Sequence, residues 1–256
     1  MTEETPDERM RRLLTGKFER KLPRRFYKDV QISDANAILL DGKPIKTPMK
    51  NALVLPTRKL AAAVAREWTD QLKVIDPETM PLTRLANTAL DRATSERQSV
   101  LDEMIAYAGS DLVCYRTDRP PDLVQLQEQH WQPVLEWAKD SLNASFVSAN
   151  SITHIQQSDA CLDAVRKHVD TFNPWQLTGV YLLMTLTGSC LLALRAQAKH
   201  PADQIWAAAH VDEDYQISQW GEDHEAFERR KGRKREFDGL MQFFELIEQP
   251  PHSSSI

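Results

Sequence analysis

Residues 210–226, HVDEDYQISQWGEDHEA, hold acids and histidines close enough in sequence to suggest chemistry. His210, Asp212, Glu213 and His224 carry side chains that could ligate a metal ion or exchange protons as a general acid and base. The spacing weakens this hypothesis, because the two histidines are fourteen residues apart and no HxxxH or HExxH pattern occurs. A metal-dependent or acid–base enzyme that uses these four residues is therefore the alternative function.

A helix surface is the simpler interpretation of the same stretch. If residues 203–220 form one α-helix at about 100° per residue, Asp212 and Gln216 lie in the middle of a broad apolar arc. Glu213 then lies between the tryptophans at 206 and 220. A carboxylate among apolar groups is costly unless it is paired.

Two explanations for Asp212 remain open. An arginine of this chain could neutralise it inside the core, with Arg84, Arg92 and Arg195 as the candidates. Alternatively, the stretch is a surface that binds another protein. The candidate partner-binding residues are then Asp212, Glu213, Tyr215, Gln216, Trp220 and Glu222.

The composition excludes several function classes. The net charge of −5 over 256 residues argues against a nucleic-acid binder. The eight glycines form no GxGxxG, GxxxxGK[ST] or GxSxG pattern, so neither a nucleotide nor another cofactor is expected. The charge is uneven, however, because residues 9–25 contain eight Lys or Arg and one Glu. A weaker third hypothesis is that this basic arm binds RNA or anionic lipid.

The compartment is suggested by the cysteines and by the N-terminus. Cys114, Cys161 and Cys190 are far apart and form no CxxC pair, which argues against a zinc module and a disulfide framework. The first ten residues, MTEETPDERM, are acidic and have no apolar stretch, unlike a secretory signal. These features predict a bacterial cytoplasmic protein, or one of the mitochondrial matrix if the source is eukaryotic.

The N-terminal third predicts a small antiparallel sheet. Short β-prone runs between residues 26 and 56 are separated by turn residues, and Asp41-Gly42 is a hairpin signal because glycine accepts positive φ. Three or four strands are expected there. Thr57 then caps a predicted helix over 58–75, which carries Leu60, Val64 and Trp68 on one stripe.

The rest of the chain predicts helices. Ser95 is a candidate cap, residues 112–117 are expected to be extended, and two helices are expected between Pro201 and Ile247. Residues 177–194 contain no charge, yet the TGS at 187–189 favours two buried helices over a membrane span. Asn173 and Pro174 should begin the first of them.

The expected fold class is therefore α+β, with a small β-rich N-terminal unit and a larger all-helical C-terminal domain. The predicted divisions are a basic arm over 1–25, a β-rich domain with one helix over 26–80, a helical domain over 81–248 and a disordered tail over 249–256.

Three stretches together resemble a known family. They are AREWTDQLKVIDPETMPLTRLANTALD (65–91), FNPWQLTGVYLLMTLTGSCLLAL (172–194) and IWAAAHVDEDYQISQWGEDHEA (205–226). The resemblance is to the assembly chaperones for the alpha subunit of F-type ATP synthase, the mitochondrial ATP synthase assembly factor 2-like family, and it covers roughly residues 24–240.

The resemblance implies a role without catalysis. Members bind newly made alpha subunit and shield the surface that later contacts the beta subunit, and no nucleotide is needed. The acid of the family motif matches Asp212, where many relatives carry Glu. The tryptophan of the REW motif matches Trp68, whose expected role is packing. The matched structural positions are Trp68, Pro81, Leu82, Arg84, Asn87, Asp91, Pro174 and Gly188.

Overall fold

The computed structural model describes residues 22–91, 96–150, 154–221 and 223–248. Several expectations lie outside these residues. They concern most of the basic arm, the Ser95 cap, Arg92, Glu222 and the tail over 249–256.

The N-terminal part contains a three-stranded antiparallel sheet in the order β1-β2-β3. The strands are β1 (Val30–Ile32), β2 (Ile38–Leu40) and β3 (Lys43–Pro44), with Val30 opposite Leu40 and Leu39 opposite Pro44. Asp41 and Gly42 have φ values of 48° and 75°, as a tight hairpin turn requires. The predicted hairpin is confirmed.

Ten α-helices follow within the described residues, so the predicted α+β class is confirmed. They are α1 (Arg58–Thr69), α2 (Pro81–Asp91), α3 (Arg97–Gly109), α4 (Pro121–Leu142), α5 (Asp159–Val169), α6 (Pro174–Thr187), α7 (Cys190–Gln197), α8 (Ala202–Ala209), α9 (Val211–Trp220) and α10 (His224–Ile247).

Helix α1 ends at Thr69, six residues before the predicted end at 75. Gln71 is buried, and its side-chain amide donates to the Glu67 carbonyl and accepts from the Asp76 backbone N–H. The Arg25 guanidinium donates to the carbonyls of Thr69 and Gln71. These contacts satisfy the groups that a longer helix would have used internally.

The predicted extended piece at 112–117 is partly wrong. Leu112–Cys114 form a 3₁₀ turn that is capped by the Asp111 side chain, which accepts from the Val113 N–H. Tyr115 then forms a single parallel bridge with Ala149. A local cap has therefore replaced most of the expected strand.

Three helices, rather than the predicted two, lie between Pro201 and Ile247. The break falls at His210, whose φ and ψ are −123° and 18°. The His210 ring Nδ1 donates to the Trp206 carbonyl at 2.8 Å, and the His210 backbone N–H bonds to Ala207 instead of continuing the α-helical pattern. Consequently α8 and α9 do not share the single helical face that the sequence predicted.

The central apolar helices follow their sequence signals. Asn173 and Gln176 form a capping box before α6, Pro174 is its first residue, and Gly188 ends it with φ 73°. Ser189 caps α7 by accepting from the Leu192 N–H. Within the described ranges, none of the helices combines the length and apolar character needed to cross a bilayer.

One apolar cluster connects the sheet to the helices. It runs from Ile38 and Leu53 through Leu60 to Leu183 and Phe243. Helix α10 packs against α1, α2 and α6. The Thr57 hydroxyl, at the start of α1, donates to the Leu246 carbonyl near the end of α10. The C-terminal helix thus closes over the N-terminal unit.

Candidate partner-binding surface

Helix α9 presents the residues that the sequence singled out. Val211 is buried and anchors the helix, whereas Asp212, Glu213 and Tyr215 are half-buried. We call the outward side of α9, together with the turn into α10, the α9 surface. Each of its acids has a different environment.

Among the described residues, Asp212 is held by a glutamine. Its Oδ1 accepts a hydrogen bond from Nε2 of Gln127 on α4 at 2.7 Å. Of the arginines considered for this role, Arg84 is exposed, and Arg195 is buried with its guanidinium against Nδ1 of His200. The expectation that Arg84 or Arg195 neutralises Asp212 is therefore wrong.

Gln127 was missed by the sequence reasoning. It is almost fully buried, and its Oε1 accepts from the Thr117 backbone N–H at 2.8 Å, so it joins the 115–120 loop to α9. Its position could have indicated burial, because Gln127 lies four residues from both Leu123 and Trp131 on the apolar stripe of α4. A polar residue on such a stripe needs a partner.

Glu213 is paired across the helix hairpin. Nη2 of Arg233 on α10 lies 2.7 and 2.9 Å from its two carboxylate oxygens, and Arg230 lies 3.6 Å away. The predicted position between two tryptophans is wrong, because the break at His210 rotates α9 relative to α8. Glu213 therefore fastens α9 to α10.

The outermost positions carry an exposed aromatic group. Gln216 is exposed, in contrast to its predicted place in the apolar arc, for the same reason as Glu213. The Trp220 side chain is 79% exposed at the end of α9, and Phe227 is 48% exposed early in α10. Gly221 has φ 79° and makes the turn between them. Exposed tryptophan is typical of interaction surfaces.

The two histidines do not form the predicted chemical cluster. His210 is buried, stacks on Trp206 at 3.8 Å between ring centroids, and donates from Nδ1 to a carbonyl. Burial lowers the pKa of His210. His224 is exposed at the first residue of α10. Within the described ranges no group of three or more His, Cys, Asp or Glu side chains could hold a metal ion.

The residues of the REW motif bind the start of the next helix. The two carboxylate oxygens of Glu67 accept from the backbone N–H groups of Leu82 and Thr83. Glu67 thereby caps α2, which begins at Pro81, although burial raises its pKa. Trp68 is half-buried against Tyr27, whose hydroxyl donates to the Trp68 carbonyl at 2.6 Å.

Further matched positions lie along α2, whereas Pro174 and Gly188 mark the two ends of α6. Asn87 is half-buried, and Arg84 is exposed. Asp91 ends the helix and accepts from the Thr47 hydroxyl at 2.5 Å and from Asn51 Nδ2 at 2.9 Å. It therefore fixes the loop after the sheet to the helical part.

Comparison with known proteins places this chain among chaperones. A family model described as ATP12 chaperone protein matches residues 24–139. The crystal structure of Atp12 from Paracoccus denitrificans superposes with a TM-score of 0.82 at 34% sequence identity, covering 88% of this chain and 99% of that one. The chain belongs to the ATP12 chaperone family.

Two further relatives support the assignment. A crystal structure from Agrobacterium tumefaciens gives a TM-score of 0.84 at 37% identity, covering 96% of this chain and 93% of that one. Protein ATP12, mitochondrial, of Saccharomyces cerevisiae is 24% identical over 230 residues, which is 73% of this chain and 71% of the yeast protein. The family thus includes bacterial and mitochondrial proteins.

Proposed function

We propose that this protein is a chaperone for assembly of the catalytic head of F-type ATP synthase. Its client is the unassembled alpha subunit, and the α9 surface contacts it. Membership in the ATP12 chaperone family carries this proposal. The exposed Trp220, beside acids held by α4 and α10, supplies a binding surface of suitable character.

The physical reason for such a chaperone is the exposed interface of a subunit that lacks its neighbours. A large apolar surface in an unassembled subunit promotes aggregation. A protein that covers the face destined for the beta subunit keeps the alpha subunit soluble until assembly. Binding and release by exchange need no catalysis, and we expect neither nucleotide nor metal to be required.

Co-expression tests the proposal directly. Alpha subunit produced alone should pellet, whereas alpha subunit produced with this protein should remain in the soluble fraction and co-purify with it. An unchanged soluble fraction would contradict the proposed function. We also expect the protein to work in a bacterial cytoplasm, or in the matrix if its source is eukaryotic.

A substitution at Asp212 distinguishes a role in client binding from a purely structural role. The Asp212→Lys variant should lose rescue of the alpha subunit, because a cation replaces the half-exposed carboxylate on the α9 surface. Asp163→Lys makes the same charge change at an exposed position of α5, outside the α9 surface, and should retain most of the rescue. Circular dichroism should show that both variants fold. If Asp212→Lys unfolds, the hydrogen bond to Gln127 is the main role of Asp212.

A further inference from the structure

The chain changes direction between α8 and α9 at His210, which we call the α8–α9 corner. In an uninterrupted α-helix, the backbone N–H of residue 210 would donate to the Trp206 carbonyl, four residues earlier. Instead, Nδ1 of the His210 ring bonds to that carbonyl at 2.8 Å, and the His210 backbone N–H donates to the Ala207 carbonyl at 3.2 Å. The side chain has therefore displaced its own backbone amide from the helical hydrogen-bond pattern.

The surroundings of the corner hold the His210 ring in place. The ring is buried and stacks on Trp206, with 28° between the two planes. Trp206 packs edge-on against Phe237 of α10 at 5.2 Å between centroids. The indole N–H of Trp131 on α4 donates to the Ala208 carbonyl at 2.7 Å. Helix α8 is thus attached to α4 and α10, and the ring sets the direction in which α9 leaves it.

The hydrogen bond also defines the tautomer of His210. A carbonyl only accepts, so Nδ1 carries the proton and Nε2 of the neutral ring carries none. Nε2 lies 3.9 Å from the Glu213 carboxylate, beyond hydrogen-bond distance. Burial lowers the pKa of His210 most, and the guanidinium groups of Arg230 and Arg233 lower it further, whereas the Trp206 carbonyl and Glu213 raise it by less. The ring is therefore a neutral Nδ1–H imidazole at neutral pH.

Two contacts of α9 depend on the direction set at the corner. Asp212, two residues beyond His210, accepts from Gln127 of α4 at 2.7 Å. Glu213, one residue further, accepts from Arg233 of α10 at 2.7 Å. If α8 continued into α9 as one helix, both acids would turn to other sides of the helix axis. The corner therefore decides which side chains α9 presents outward.

We propose that His210 is a positioning residue for client binding, because its Nδ1–H keeps the α8–α9 corner and the corner presents Asp212 and Trp220 to the client. This inference rests on the proposed function, since the client is the one that the α9 surface binds. His210 is buried and acts through α9 without touching the client. Without the Nδ1–H donor, the Trp206 carbonyl is free for the backbone N–H of residue 210, and α8 and α9 should join into one helix.

Three substitutions separate the hydrogen bond from the packing of the ring. His210→Asn keeps a side-chain donor near the position of Nδ1 but has no ring, and asparagine side chains bond readily to nearby backbone groups. His210→Phe keeps a ring that can stack on Trp206 but has no donor. His210→Ala removes both. The proposal requires the asparagine variant to behave like the wild type and the other two to differ from it.

Spin labels measure the corner in the absence of any client. Gln129→Cys on α4 and Ser218→Cys on α9 place two labels at exposed positions, and the three native cysteines are buried and should not react. His210→Ala and His210→Phe should shift or broaden the distribution of distances between the labels, whereas His210→Asn should retain the wild-type distribution. A wild-type distribution in His210→Phe with a shifted one in His210→Asn would show that only packing matters and would overturn the proposal.

Affinity for purified unassembled alpha subunit measures the consequence for binding. His210→Ala and His210→Phe should weaken binding by about tenfold, and His210→Asn should remain within about threefold of the wild type. His168→Ala is the control, because it removes an imidazole that packs edge-on against Phe172 at the end of α5, and it should bind like the wild type. Wild-type affinity in His210→Phe and His210→Ala would overturn the proposal. Absence of binding by the wild-type protein would contradict the proposed function, while the label distances would still test the corner.

The imidazole nitrogens provide an independent check on the wild-type protein. A long-range proton–nitrogen NMR spectrum at neutral pH should show a protonated Nδ1 and an unprotonated Nε2 for His210, whose signals are identified by their loss in His210→Asn. A proton on Nε2 would overturn the proposal, because Nδ1 could then not donate to the Trp206 carbonyl. This measurement stays decisive if His210→Ala and His210→Phe fail to fold.

Discussion

Asp111 has no contact with solvent. It lies between the end of α3 and the 3₁₀ turn at Leu112–Cys114. Its Oδ1 accepts from the Ser189 hydroxyl at 2.6 Å, and its Oδ2 accepts from the Leu191 N–H at 2.9 Å. It therefore joins the end of α3 to the start of α7. Burial raises the pKa of Asp111 to about 6, and the hydrogen bonds it accepts offset part of that rise.

The raised pKa predicts a pH dependence of stability. The folded-state pKa of about 6 lies above the usual range of an aspartate, so the folded state holds this proton more tightly than the unfolded state. The contribution of Asp111 to stability is therefore fully present below about pH 4 and is lost as the pH rises through about 6.

The Asp111→Asn variant removes this titration. Urea unfolding at several pH values should show that the stability advantage of the wild type over the variant shrinks between about pH 4 and pH 7. Asp163→Asn, at an exposed position of α5, is the control and should parallel the wild type. Parallel curves for Asp111→Asn would refute the assignment.

At the scale of elements, two helix glycines have opposite surroundings. A Cβ added at Gly179 in α6 would lie 2.6 Å from Cε1 of Phe244 and 3.1 Å from Cζ of the same ring. A Cβ added at Gly232 in α10 meets no atom within 4 Å. The first glycine lets α6 and α10 approach closely, whereas the second has no packing reason to be glycine.

These surroundings predict opposite changes in stability. Gly179→Ala should lower the free energy of unfolding by about 1–3 kcal/mol, because the Phe244 ring must move. Gly232→Ala should raise it by about 0.5–1 kcal/mol, since alanine has the higher helix propensity. Thermal melts of both variants and of the wild type measure these two changes in stability. A stabilised Gly179→Ala protein would show that α6 and α10 are not closely packed at this point.

The sequence predicted elements whose ends depend on nearby residues. The Asn173-Pro174 start of α6 and the Asp41-Gly42 hairpin are set by side chains within a few positions. The early end of α1 was missed because it depends on Arg25, more than forty residues away. Likewise Gln127 was missed as the hydrogen-bond partner of Asp212 because it is 85 residues distant. Local patterns do not specify such contacts.

The sequence named candidate residues for the α9 surface but did not give their geometry, and their partner-binding role stays a prediction. The acids and Trp220 were identified from the run over 210–226, and the family resemblance gave them a binding role. Winding residues 203–220 as one helix placed Glu213 and Gln216 incorrectly, because the His210 ring breaks the helix. A side chain that competes for a backbone carbonyl is difficult to recognise without its tertiary surroundings.

At the scale of the whole molecule, the small sheet depends on the helices. Its strands contain three, three and two residues, fewer than independently stable sheets usually have. Ile38 of the sheet, with Leu53 and Leu55 in the segment that follows it, belongs to the same apolar cluster as the central helices. The Thr57 hydroxyl also bonds to the far end of α10. The N-terminal unit therefore lacks much of its core when the helices are absent.

This dependence predicts that the chain unfolds as one cooperative unit. A fragment of residues 22–80 should show no cooperative thermal transition, since so short a segment buries too little apolar surface without α10. For the full chain, tryptophan fluorescence and far-UV circular dichroism should give coincident urea transitions, because loss of α10 exposes the sheet and the helices together. Two separate transitions, or a cooperative melt of the 22–80 fragment, would show instead that the N-terminal unit folds independently.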